Sequence, residues 1–248
     1  MNSPQNWPQQ TPPGQAPPGG YGYVPGGGGY VPGPGGGGYA GPPPVRKKRT
    51  GLVVGIVVAV VVLLVAGVVG KLYLDYVDEP GGGPGGEPVA QCALSDSLKQ
   101  QAHVSSFRLI QAPAEAEKGM KQTHCAWEQT KGRDGRNPRT IHVLVYDYAK
   151  FSDKSDRNEE MAEGNYTSFT SYASGSQAKQ VDGLGDQAMV VIPSSSTDLT
   201  EVNLLVRKGA VVWNIRYFGR DKGFLSDSAF PVDDAEAVAR RTAEELVR

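Results

Sequence analysis

The sequence predicts an α+β fold: an antiparallel β-sheet of five to six strands packed with two to three helices in two layers, preceded by a disordered tail and one long apolar helix. Three observations carry this. Residues 140–148 and 211–218 place Ile141, Val143, Val145 and Val211, Trp213, Ile215, Tyr217 at every second position, the period of a strand buried on one face. After Pro231, the residues Ala235, Val238, Ala239, Thr242 and Leu246 fall on one stripe at helical spacing. Residues 51–70, GLVVGIVVAVVVLLVAGVVG, hold no charge and no polar side chain, and at the helical rise they extend roughly 30 Å, the thickness of a bilayer's hydrocarbon core.

Residues 1–45 contain no Asp, Glu, Lys or Arg, and loosely repeat YVPGGGG at 23–29, YVPGPGGGG at 30–38 and YAGPPP at 39–44. Such a segment cannot bury enough apolar surface to offset backbone ordering, so a disordered tail is expected. Its spaced Tyr21, Tyr23, Tyr30 and Tyr39 leave room for a ligand of proline-reading modules.

Residues 46–74 form the basic flank and the transmembrane helix. Arg46, Lys47, Lys48 and Arg49 precede the apolar run, and Lys71 and Asp75 follow it. By the positive-inside rule these four residues set the topology: N-terminus cytoplasmic, C-terminal domain outside the cell membrane. The run is long for a signal-peptide core and no A-x-A site follows, so an uncleaved single-pass anchor is expected.

Residues 75–89 are rich in Gly and Pro without an apolar period. They predict a flexible, semi-extended linker that lifts the following domain off the membrane.

Residues 90–248 have globular composition, enough for one extracytoplasmic domain with its own core. A short helix is expected from Ser95 to His103, with Ser95 as its N-cap. Strands follow at 106–112, at 123–129 with Cys125 and Trp127 on one face, and at 140–148, the last two joined through the turn formers of 131–139. Residues 155–173 predict a helix, with Ala162, Tyr166, Phe169 and Ala173 on one face. Strands return at 187–193, 200–207 and 211–218, the last pair joined by a tight turn at Lys208-Gly209. Asp233 and Glu236 predict a capping box at the start of the closing helix.

Charge is divided along the chain. Residues 77–248 carry 20 Lys and Arg against 25 Asp and Glu, a net −5. An acidic exterior argues against nucleic acid as a partner. Both cysteines, Cys92 and Cys125, fall in the outer part. An even pair in an oxidising compartment reads as a disulfide, with two reduced buried thiols as the alternative.

The search for chemistry yields no catalytic residue, no cofactor and no metal site. Gly183-Leu184-Gly185-Asp186-Gln187-Ala188 matches G-x-G-x-x-A, but MVVIP follows where a dinucleotide site needs a helix, so a glycine turn feeding a strand is expected. His124 and His142 fall in adjacent strands and are placed to meet across the hairpin. The acidic run SDKSDRNEE at 152–160 lacks the order of a calcium loop.

The order of Cys92-x-Leu94, Cys125-x-Trp127, Gly183-Leu184-Gly185-Asp186-x-Ala188, Val206-Arg207-Lys208-Gly209 and a closing Ala/Arg helix resembles the actinobacterial extracytoplasmic domains of unknown function. These occur in lipoproteins and membrane-anchored proteins, and the sensor domains of some actinobacterial Ser/Thr kinases look similar. The resemblance implies an antiparallel sheet with helices packed on it, a Cys92–Cys125 disulfide, and no catalytic residue. The chain departs from it in having neither lipobox nor kinase domain.

The expectation is therefore a single-pass protein that presents a binding or sensing domain to the cell envelope, without catalysis. Its candidate partners are an envelope lipid, glycan or protein. The alternative is a scaffold that links an envelope protein to cytoplasmic partners through the tail.

Overall fold

The computed structural model describes residues 50–117, 119–171, 176–193 and 198–248. The tail (1–45) and the topology-setting Arg46, Lys47, Lys48 and Arg49 lie outside the described residues.

The first helix, α1 (Thr50–Val77), has 28 residues. It outruns the apolar segment by two turns because nothing in Lys71–Val77 breaks a helix. Its span Gly51–Val77 has a mean hydropathy of 3.4 and is long and apolar enough to cross a membrane. Apolar side chains cover every face, so the helix has no stripe of its own to bury in the domain.

A one-turn 3₁₀ helix (Ala90–Cys92) and α2 (Asp96–Gln101) open the domain. Ser95 caps α2, its hydroxyl accepting from Leu98 N at 3.2 Å. Strands β1 (Ser106–Glu117), β2 (Met120–Glu128) and β3 (Arg139–Asp147) form a first meander, and α3 (Ser155–Ser171) then crosses the sheet. Strands β4 (Gln177–Gln180), β5 (Gln187–Ile192), β6 (Thr200–Lys208) and β7 (Val211–Gly219) form a second meander, and α4 (Val232–Leu246) closes the chain. The sheet order is β1-β2-β3-β7-β6-β5-β4, with every neighbouring pair antiparallel. The two meanders thus meet at a β3–β7 seam, in register at Val143↔Ile215.

The sheet and its layers differ from the expectation. The sheet has seven strands, not five to six: β4, all of it exposed, pairs at the edge through QAKQ, a sequence with no apolar alternation to announce it. The helices also lie on both faces rather than in a second layer alone. One face buries Val143, Leu204, Val206, Ile215 and Tyr217 against Leu98 of α2 and Ala235, Val238, Ala239 and Ala243 of α4. The opposite face buries Val191, Leu205 and Val212 against Ala162 and Tyr166 of α3. Small residues on α4 let the helix axis come close to the sheet.

The capping box at α4 does not form: Pro231 is the N-cap and no side chain bonds there. Glu236 instead pairs with Lys179 of β4 at 2.5 Å and Arg240 at 2.7 Å. α2 and α4 are clamped together by Arg241, which donates to Gln101 Oε1 and Ser97 Oγ, both at 2.8 Å.

The linker is not a free spacer. Gly82 N donates to Gln129 O at 3.2 Å, Lys131 N returns to Gly82 O at 3.1 Å, and Gly86 N donates to Phe107 O at 3.0 Å. Asp78 pairs with Lys131 at 2.6 Å, and Gly132 N donates to Glu79 Oε2 at 2.6 Å. Its glycines serve close approach. A Cβ at Gly85 would lie 2.2 Å from the backbone N and O of Phe107, and at Gly81, where φ is +105°, 2.3 Å from Gln129 O. The segment is a strap bonded to the residues that follow β2 and, at Phe107, to the start of β1.

Candidate functional site

At one end of the sheet the C-terminus of α2, the N-terminus of α4 and the ends of β3 and β7 enclose a cleft of about 260 Å³. His103, Arg139, Tyr217, Asp221, Phe230 and Asp234 line it.

His103 reaches its rim through a left-handed backbone, φ 54°, found at no other non-glycine residue described. The cause is the end of α2: Val104 N bonds Lys99 O at 3.0 Å and His103 N bonds Gln100 O at 3.2 Å. This is a Schellman closure, in which glycine normally takes the left-handed position.

Arg139, at 8% exposure, forms the cleft wall. Its guanidinium donates to Pro138 O at 3.0 Å and Arg220 O at 2.6 Å, pairs with Asp221, and stacks 3.8 Å from the Phe230 ring centroid. Its charge is therefore spent inside the protein. Tyr217 donates its hydroxyl to Ala102 O at 3.2 Å. Burial pushes its phenol up to about 12, with the Arg139 guanidinium pulling the other way, so it stays a neutral donor. Asp234 is exposed and makes no ion pair among the described residues. With Arg139 and Asp221 cancelling, the lining is left acidic by one charge beside two aromatic rings. That arrangement suits a small ligand with a positive or hydrogen-bond-donating group.

The expected histidine pair forms elsewhere. His124 and His142 are diagonal neighbours across β2 and β3, with ring centroids 5.3 Å apart. They lie on the face that α3 covers only in part, and Phe218 stacks 5.4 Å from His142. Burial lowers both imidazole pKa values; Arg108 adds to the effect at His124, and His124 and Arg216 add to it at His142. Among the described residues no group of three His, Cys, Asp or Glu is placed to hold a metal ion. Beside this surface, Phe169, Val191, Leu205, Asn203 and Asn214 line a second cavity of about 280 Å³.

Cys92 and Cys125 form a disulfide, with Cα atoms 6.4 Å apart. It ties the 3₁₀ turn to β2, and both residues are fully buried. The G-x-G-x-x-A stretch is a turn leading into β5, with φ +81° at Gly183 and +59° at Gly185. A Cβ at Gly185 would meet Arg207 O at 2.4 Å, so its glycine serves contact with β6 rather than with a phosphate.

Sequence reasoning missed the cleft. Its residues come from four separate elements, and no local motif joins them. The one readable signal was Arg139 at the head of an apolar strand. Comparison with models of protein families, with characterised proteins and with solved structures found no match.

Proposed function

We propose that the chain is a single-pass membrane protein whose C-terminal domain binds or senses a small ligand at the cell envelope, without catalysis. The observation that supports this best is the cleft. Its Arg139–Asp221 pair is internally satisfied, leaving Asp234 and His103 at the rim free to meet a ligand. A concave surface with aromatic rings and a few convergent polar groups is the usual make-up of a binding site. The apolar α1 supports the anchor, and the four basic residues before it support an outward-facing domain. On this reading the ligand is an amine-bearing or hydrogen-bond-donating component of the envelope, such as a glycan or peptide group.

The test is native mass spectrometry of the full chain in lipid nanodiscs after exposure to envelope extract. A retained small molecule that is lost in Asp234→Asn supports the reading. A clean mass, or retention unaffected by that change, overturns the small-ligand reading in favour of the scaffold alternative. Deletion of residues 1–45 then tests the scaffold through loss of a cytoplasmic complex.

A further inference from the structure

We infer that the loop between β7 and α4, through Phe224 and Leu225, seats the domain on the outer leaflet of the membrane that α1 spans. The inference rests on the anchor reading above.

The length of α1 fixes the level. About twenty of its residues fill the hydrocarbon core, which places Lys71–Val77 among the outer headgroups, where Tyr73 and Tyr76 suit an interfacial belt. Within residues 51–77 only Leu72 and Tyr76 are partly buried, the rest being exposed. They stand one turn apart, so one face of the helix is covered at this level.

The domain reaches that face through the loop. Phe224 packs edge-on against Tyr76, with centroids 6.0 Å apart. Lys222 Nζ donates to Asp78 O at 2.6 Å, and Arg136 lies 4.4 Å over the Tyr76 ring. The loop tip thus flanks the helix where it leaves the bilayer. Phe224 is 41% exposed and Leu225 81%. Two adjacent apolar side chains turned away from the core would be a liability in water and an asset at a lipid interface.

The tip is also built to hold this pose. Asp221 and Ser228 exchange backbone bonds at 2.7 and 2.9 Å, and Arg220 pairs with Asp227 at 2.9 Å. Gly223 approaches Ser226 O so closely that a Cβ would lie 1.9 Å from it. With the strap docked from Asp78 to Gly86, neither side of the contact swings freely.

The experiment uses the full chain in nanodiscs of phosphatidylethanolamine and phosphatidylglycerol, with a nitroxide on Leu225→Cys, Val61→Cys or the exposed Asp153→Cys. Both native cysteines are bonded to each other, so only the new thiol takes the label. Collision with oxygen and with a water-soluble nickel chelate reads depth. The expected result is a Leu225 label several-fold less accessible to nickel than the Asp153 label, yet open to oxygen. A Leu225 label as open to nickel as Asp153, with Val61 in lipid, overturns the seating and leaves the anchor intact. A Leu225 label shielded from both reagents overturns it in favour of a second protein copy. A Val61 label open to nickel removes the anchor reading itself.

Discussion

The indole Nε1 of Trp127 donates to the backbone carbonyl of Cys92 at 2.8 Å, two residues along β2 from the cysteine to which Cys92 is bonded. A covalent and a hydrogen-bonded tie therefore fix the same turn to the same strand. Phe107 packs on the indole at 5.2 Å and closes the corner.

Replacing both Cys92 and Cys125 with Ala should cost about 3–4 kcal/mol, because the bridge closes a loop with a sequence separation of 33. Trp127→Phe should cost about 1–3 kcal/mol by orphaning a buried carbonyl. Urea unfolding of each variant checks both. A disulfide-free protein as stable as the parent would show that the indole bond alone holds the turn.

The strap predicts a contrast between neighbouring glycines. Gly85→Ala drives a methyl into the Phe107 backbone and should destabilise by more than about 1 kcal/mol. Gly83→Ala meets nothing within 4 Å and should stay within about 0.5 kcal/mol of the parent. Thermal melts compare them, and protease nicking between residues 78 and 89 should rise in the first only. Equal behaviour would mean that the strap does not thread where the backbone places it.

His103→Gly should stabilise the protein by about 0.5–1 kcal/mol, since glycine takes a left-handed backbone without strain. His103→Ala should not. If the imidazole serves the cleft, the stabler glycine variant binds ligand more weakly, a separation that melting and titration read independently. Stabilisation by both variants would show that the backbone angle is not the source of strain.

The histidine pair predicts a pH dependence. Burial lowers both imidazole pKa values in the folded chain; Arg108 lowers that of His124 further, and His124 and Arg216 lower that of His142 further, with Glu128 opposing. Above the usual histidine value of about 6.5 both rings are neutral folded or unfolded. As the pH falls below that value the unfolded chain takes protons first, so stability declines. Glu236, whose carboxyl is held low by Lys179 and Arg240 against its burial, adds its own loss only in the lower carboxylate range. The melting temperature should therefore fall between pH 7 and 5, and less so in the His124→Gln, His142→Gln double variant. An equal fall in parent and variant assigns the effect to other groups.

Much of the sheet was legible because its strands carry the period that burial imposes. Val211, Trp213, Ile215 and Tyr217 face one core, and the Gly209 turn joins β6 to β7 in register. The disulfide was legible because the chain has only two cysteines, and the meeting of His124 with His142 because β2 and β3 are consecutive strands of one hairpin. β4 was not, because QAKQ is held by backbone pairing at an edge and has no apolar face. The docked strap was hidden for a related reason: glycine composition is the same whether it gives freedom or permits close approach. The cleft depends on Arg139, Tyr217 and Asp234 arriving from different ends of the chain, which no local pattern records.

The β3–β7 seam has a consequence for assembly. Each meander can zip up from adjacent hairpins as it emerges, but Val143 waits for Ile215, 72 positions later. Contacts so distant in sequence close slowly. A chain built from its N-terminus keeps the inner margin of β3 unpaired, with Ile141, Val143 and Val145 uncovered, until β7 has followed. Until then the first meander carries an unpaired β3 rim open to other strands. Chaperones that mask unpaired strands should therefore govern the yield of this protein more than its final stability does.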